Sequence, residues 1–296
     1  MEHAMKNLHA LPISEGLARS ASTVIQKFVG LTGETLSVSA AASCIIGAVQ
    51  MFAGIVGAAS ARGTLLKRLF PDARAVLWSI ATGALIGVFG SVLTIYTMTL
   101  GADIGIRTLL VNLYVIPAAL GGAILWKDAL GVRQWVSIAL TLLAAWAMLD
   151  FPLDLAFDTW VWLTLLIALA MAVVELLSRA AALRSIEAWA HNFWIGVPTL
   201  VVSLGTLAMF PLELLQISGA FIAGSLALGG LVICMISFRF LAFKAGSTIA
   251  YRNIIMQGTF FVSAVVAGIV IFGEPATIGK FLGIVLWMSA VILMKK

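Results

Sequence analysis

Long apolar runs broken by short polar or turn-forming stretches set the pattern of this chain. A bilayer core about 30 Å thick is crossed by roughly 20 helical residues. Measured against that length, the sequence predicts ten helices: Leu8–Val29, Ser37–Ala59, Ala75–Leu100, Ile104–Trp126, Leu130–Leu149, Trp160–Ala182, Ala188–Phe210, Ser218–Leu241, Ile249–Phe272 and Ile278–Met294. Pro71 with Asp72, Phe151 with Pro152, Pro211, and Glu274 with Pro275 mark tight connections between them. The first helix is the exception in polarity. Glu15, Arg19, Ser20, Ser22, Thr23, Gln26 and Lys27 require that one side of it face protein or water, or that it lie at the membrane interface.

Composition supports the same class. Hydrophobic residues make up 62% and charged residues 10%, with a mean hydropathy of +1.10, which is outside the range of soluble globular domains. Met1–Ala10 is polar and leads into no short apolar run with a small-residue cleavage site, so no cleaved signal is expected. Cys44 and Cys234 fall in apolar segments and read as small buried hydrophobes rather than a disulfide or metal site. The net charge of +5 reads as basic cytoplasmic loops, not as a nucleic-acid footprint. Alternate loops hold Lys6, Arg62, Lys67, Arg68, Arg74, Lys127, Arg133, Arg184, Lys244, Lys295 and Lys296, while the opposite set carries Lys280 with Asp150, Asp154 and Asp158. Both termini are therefore expected in the cytoplasm, with the chain passing many times through a bacterial inner (plasma) membrane.

The sequence also repeats itself. Residues 101–126, GADIGIRTLLVNLYVIPAALGGAILW, lie over residues 246–271, GSTIAYRNIIMQGTFFVSAVVAGIVI, without a gap. Arg107 meets Arg252 and Asn112 meets Gln257, coincidences that random apolar sequence rarely offers; with one residue inserted, Asp128 meets Glu274. Two halves, 1–150 and 151–296, thus hold five helices each. Five is odd, so the halves enter the membrane from opposite sides, and the expected fold is all-α, ten transmembrane helices as two inverted five-helix repeats. Symmetry would bring Arg107 and Arg252 toward one central cavity.

An arginine near mid-helix costs roughly 2.5–3.5 kcal/mol on insertion scales, so each should face a wet cavity or a carboxylate. Its planar fork of donors suits a carboxylate or phosphate group of a substrate. The alternatives are a structural ion pair with Glu15, Glu175 or Asp103, or snorkelling to the interface. Asn112, Tyr114, Tyr251 and Gln257 could add hydrogen bonds to a substrate or simply join helices. Glu15 with Arg19, and Glu175 with Arg179, share an ExxxR spacing that places each pair on one helical face, as a coupling carboxylate or as a helix-stabilising pair. His191 is a pathway residue or a hydrogen-bonded structural one. Ser237, Arg239 and Lys244 read as markers of the cytoplasmic interface, and Gly83, Gly87 and Gly90 as close helix packing.

ILWKDALGVRQWVSIALTLLAAWAML (124–149) and IVIFGEPATIGKFLGIVLWMSAVILM (269–294) resemble the ends of the repeats in the drug/metabolite transporter superfamily, particularly its EamA-like branch. That resemblance implies a central cavity lined by the first, third, fourth, sixth, eighth and ninth spans, with the fifth and tenth outside it. In the phosphate-carrying relatives, the triose-phosphate and sugar-phosphate translocators, basic residues occupy the fourth and ninth spans, where Arg107 and Arg252 lie.

The function expected is secondary transport of a small anionic or zwitterionic metabolite, carboxylate- or phosphate-bearing, with an amino acid or related solute as one option. No HExxH pair, metal-spaced acidic cluster, phosphate loop or serine with a base points to an intramembrane enzyme, and no nucleotide-binding domain points to a primary pump. No cofactor or metal is implied. A non-transporting membrane scaffold is the alternative. The expected partners are the solute, the lipid bilayer and, in a homodimer, a second copy of the chain. In a variant lacking Cys44 and Cys234, a cysteine at Asp154 should react with an impermeant maleimide added outside intact cells, and one at Arg68 should not. The reverse result would invert the assigned orientation.

Overall fold

The structure, a computed structural model, describes residues 2–30, 36–60, 64–100, 107, 110–128, 130–148, 158–211, 217–272 and 275–294. All elements among them are helical: α1 (Glu2–Gly30), α2 (Leu36–Ser60), α3 (Leu65–Leu69), α4 (Ala73–Leu85), a π-helical segment (Ile86–Val92), α5 (Leu93–Thr99), α6 (Val115–Trp126), α7 (Val132–Met148), α8 (Thr159–Ala182), α9 (Ala188–Met209), α10 (Gly219–Lys244), α11 (Ile249–Phe272) and α12 (Ile278–Met294). Six stretches are long and apolar enough to cross a membrane: Leu36–Ser60, Ala73–Thr97, Thr159–Ala182, Ala188–Met209, Gly219–Lys244 and Ile249–Ala267. Leu110–Trp126, Val132–Met148 and Ile278–Leu293 are shorter apolar helices. Large apolar side chains such as Phe52, Ile124, Val132, Val270 and Ile278 stand exposed on the outside of the bundle. Such a surface is compatible with an integral membrane protein.

The polar first helix is built inside out relative to a helix of a soluble protein. Glu15, Ser20 and Ser22 are buried, while Ile13 and Leu17 are 41% and 51% exposed. Its polar stripe faces the other helices because apolar surroundings leave buried protein contacts as the place where those groups find partners. α1 lies against α10 and α11, α4 against α8 and α9, and α2 against α9 and α10. α7 and α12 pack on each other, with α11 beside α7.

Local chemistry explains the ends. Asp72 caps α4, its carboxylate accepting from the Arg74 and Ala75 N–H groups at 2.8 and 3.4 Å. Gly246, at φ +90°, closes α10; its N–H returns to Phe243 O and that of Ser247 to Ala242 O, both at 3.0 Å, which satisfies two otherwise orphaned carbonyls. Lys127, at φ 56°, turns the chain after α6 so that Asp128 points back toward α8. The π-helical segment departs from the uniform span expected over Ala75–Leu100; the Thr94 hydroxyl donates to Phe89 O, five residues back, at 2.8 Å. Cys234 also departs from expectation, since it is exposed on α10 rather than buried.

Of the three glycines spaced along this third span, Gly83 makes the closest approach. A Cβ there would fall 2.4 Å from Ile195 O and 2.6 Å from Ile195 Cα on α9, whereas Gly205 has open space around it. Gly83→Leu is expected to lower stability in detergent by about 1–3 kcal/mol through overpacking, and Gly205→Leu to leave it nearly unchanged. Thermal unfolding of the two variants checks this; equal effects would refute close packing at Gly83.

Candidate functional site

Four charged side chains from four helices meet in the interior. Glu15 on α1, Glu175 on α8 and Arg252 on α11 are at most 1% exposed, and Arg239 on α10 is 8% exposed. The Arg252 guanidinium grips Glu15 with two groups, Nε donating to Oε2 at 2.8 Å and Nη2 pairing with Oε1. Its Nη1 donates to Glu175 Oε2 at 2.6 Å and to Asn253 Oδ1 at 2.8 Å. Arg239 Nε lies 3.2 Å from Glu15 Oε1 and 3.4 Å from Glu175 Oε1. Two carboxylates and two guanidiniums make a neutral quartet. The bidentate geometry and multiple donors are what allow four charges to persist away from water.

The quartet continues into a neutral network. Tyr114, 1% exposed, donates its hydroxyl to Asn253 Oδ1 at 3.3 Å and accepts from Arg19 Nη1 at 3.2 Å. Arg19 also lies over the rings of Tyr114 and Phe260, with centroid distances of 5.7 and 5.5 Å. Beyond it opens a cavity of about 120 Å³. Its polar lining includes Arg19, Ser91, Thr94, Arg107, Asn112 and Arg239, and its apolar lining includes Met171, Met235 and Phe260. The lining thus comes from α1, the π-helical segment and α5, the stretch leading into α6, α8, α10 and α11.

Arg107 is 5% exposed and donates from Nε to Thr97 Oγ1 at 2.7 Å. Among the described residues, neither Arg107 nor Arg19 pairs with a carboxylate. Asn112 lines the cavity at 2% exposure, and both its amide atoms lack a partner among the described residues. A buried amide without a partner in an apolar interior is costly, and Asn112 has both donor and acceptor capacity to offer the cavity.

The two arginines expected to share one cavity do not. Arg107 lines it, whereas Arg252 is ion-paired with Glu15 and Glu175 outside the lining, so the ion-pair arrangement is the one the fold adopts for Arg252. Arg239, which reads in the sequence as an interface marker, is a buried member of the quartet and a wall of the cavity. Counting charge inside the spans would have pointed to it, because two buried carboxylates in different helices need more than one cation. The ExxxR neighbours do not pair with each other. Glu15 and Glu175 both turn to Arg239 and Arg252, and Arg179 instead forms a bidentate pair with Asp128, Nη2 to Oδ1 at 2.9 Å, with its guanidinium 4.7 Å from the centroid of the Trp126 ring. For Glu15 and Glu175 the tertiary arrangement brings two guanidiniums to each carboxylate, where an i,i+4 neighbour would bring one.

The remaining residues lie apart from the cavity. Tyr251 shares a hydrogen bond of 2.5 Å with His9 Nδ1 at the start of α11. Gln257 is buried with both amide atoms unpartnered among the described residues, but outside the cavity wall. His191 Nδ1 bonds the Ser79 hydroxyl at 2.7 Å, joining α9 to α4, and Asn192 donates to the Ser237 hydroxyl at 2.9 Å. Thr97 and Asn253 had no signal of their own, since single polar residues inside spans are common. Asp103 and Glu274 lie outside the described residues.

No family model and no curated protein matches the chain. A solved structure, described only as a crystal structure of a protein, superposes on it with a TM-score of 0.69 at 16% identity, covering 98% of this chain and 96% of that one. The likeness is one of fold.

Glu15→Gln or Arg252→Gln alone leaves an uncompensated charge in the quartet, and each is expected to cost about 3–5 kcal/mol of stability. The double variant should cost less than the sum, because Glu175 and Arg239 remain as a balanced pair. Unfolding titrations in detergent measure the coupling, and strictly additive losses would show that the quartet does not act as a unit.

Proposed function

We propose that the protein is a secondary active transporter that moves a small organic anion across a bacterial inner membrane by alternating access, resembling the EamA-like branch of the drug/metabolite transporters. The observation that carries this reading is the cavity at Arg107, lined by both polar and apolar side chains from both halves of the chain. A cavity with a desolvated guanidinium is suited to holding a carboxylate or phosphate while excluding lipid. Its lining helices correspond to the first, third, fourth, sixth, eighth and ninth spans of a ten-span arrangement, with α7 and α12 as the fifth and tenth at the side.

The helix contacts support the inverted repeat. Exchanging the halves turns α1–α10 into α8–α4, α1–α11 into α8–α6 and α2–α10 into α9–α4, and leaves α2–α9 and α7–α12 unchanged; each of these pairs is in contact. Halves that pack interchangeably can swap conformations, and that swap is the route to alternating access. With the N-terminus in the cytoplasm, the cavity lies in the outer half of the bundle and the quartet beneath it closes the cytoplasmic side. Substrate arriving from outside then meets Arg107 first, and the quartet must part before release inward. The locked state of Arg252 is also what a scaffold reading expects, but a scaffold has no use for the cavity.

Counterflow in proteoliposomes with phosphorylated, carboxylated and neutral solutes tests the proposal. The wild type should exchange an anionic solute, and Arg107→Gln should reduce that exchange about tenfold or more while leaving the protein monodisperse. Absence of counterflow across the whole panel, or an Arg107→Gln variant that carries every anion unchanged, would overturn it.

A further inference from the structure

Among the described residues, the charges around the cavity do not cancel. The quartet is internally neutral, with Glu15 and Glu175 against Arg239 and Arg252. Arg19 and Arg107 remain, both lining the cavity, both without a carboxylate among the described residues, and held only by neutral groups: Tyr114, Met256 and Phe260 for Arg19, and Thr97 for Arg107. Two like charges facing one small space repel each other, and among the described residues no unpaired carboxylate lines it to screen them.

We propose that this cavity is a binding site for a compact organic dianion, bridged between Arg19 of α1 and Arg107 ahead of α6, with the Asn112 amide taking a polar substituent of the same molecule. The inference rests on the transporter reading for its physiological role but not for its chemistry. A singly charged solute leaves one guanidinium unneutralised in a low-dielectric space, whereas a doubly charged one satisfies both. Asn112 offers one acceptor and two donors, all without protein partners among the described residues, which suits a hydroxyl or carbonyl placed between the two anionic ends. A cavity of about 120 Å³ restricts the guest to a compact molecule, such as a short dicarboxylate or a small phosphate monoester. The assignment differs from a site built on Arg107 and Arg252, because Arg252 is buried among Glu15, Glu175 and Asn253 and does not line the cavity.

The test compares isosteric pairs on the purified protein, with succinate against butyrate and glycerol phosphate against its methyl ester, by thermal shift for binding and by proteoliposome uptake for transport. Each dianion should bind at least about tenfold more tightly than its monoanionic partner. Uptake of glycerol phosphate should fall as the pH drops through its second pKa, about 6. Whichever dianion binds better identifies the carboxylate or the phosphate as the native group. Arg19→Gln should erase the preference while monoanions still bind, and Arg19→Lys should restore it in part. Monoanions bound and carried as well as dianions would overturn the inference and leave the transporter reading standing. A dianion bound but never carried would uphold the site and overturn the transporter reading.

Discussion

Burying two carboxylates and two guanidiniums in an apolar bundle is the constraint to which the rest of this structure answers. Charges cannot sit in such surroundings unless they are paired and hydrogen-bonded, so α1, α8, α10 and α11 must converge closely enough for Glu15, Glu175, Arg239 and Arg252 to meet. That convergence explains why α1 turns its polar stripe inward and its Ile13 and Leu17 outward. It also explains the neighbouring network. Asn253 takes up a remaining Arg252 donor, Tyr114 bonds Asn253, and Arg19 bonds Tyr114, so that the polar groups run without a break from the quartet to the cavity wall.

Beyond that network lies the cavity. Arg19 and Arg107, which lack carboxylates among the described residues, line it together with Asn112, which lacks partners among them. The π-helical segment contributes Ile86, Gly90 and Ser91 to the same lining. Its wider turn re-aims the backbone at this point, a common feature of helices that form binding sites. The quartet holds helices together with balanced charge, and the two guanidiniums without a described carboxylate partner line the cavity next to it.

The proposed transport cycle gives the quartet a second role. In the transport reading it closes one side of the cavity, so opening that side means separating bidentate ion pairs, which requires replacement partners for the freed charges. Water entering the opened side supplies some, and an anion carried down from Arg107 supplies others. A gate of this kind stays shut when no solute is bound, because the uncompensated charges are costlier than the closed pairs.

Much of this was legible in the chain itself. Apolar runs about 20 residues long announce the helices, since a helix that meets lipid or other helices on every face has no polar stripe to interrupt it. An arginine inside such a run is costly enough to stand out, and so Arg107, Arg252 and the possible partners Glu15 and Glu175 were all identifiable. The choice among partners was not. Arg252 and Glu15 are 237 positions apart, and whether a guanidinium meets a carboxylate or a solute depends on angstrom-scale approach between helices that hydropathy does not encode. The same holds for Arg239, whose position near the end of a span suits an interface residue until α1 brings Glu15 to it. Periodicity and composition act along one helix, and therefore predict which residues are buried. Pairing acts between helices, and only their packing selects which charges cancel and which two are left facing the cavity.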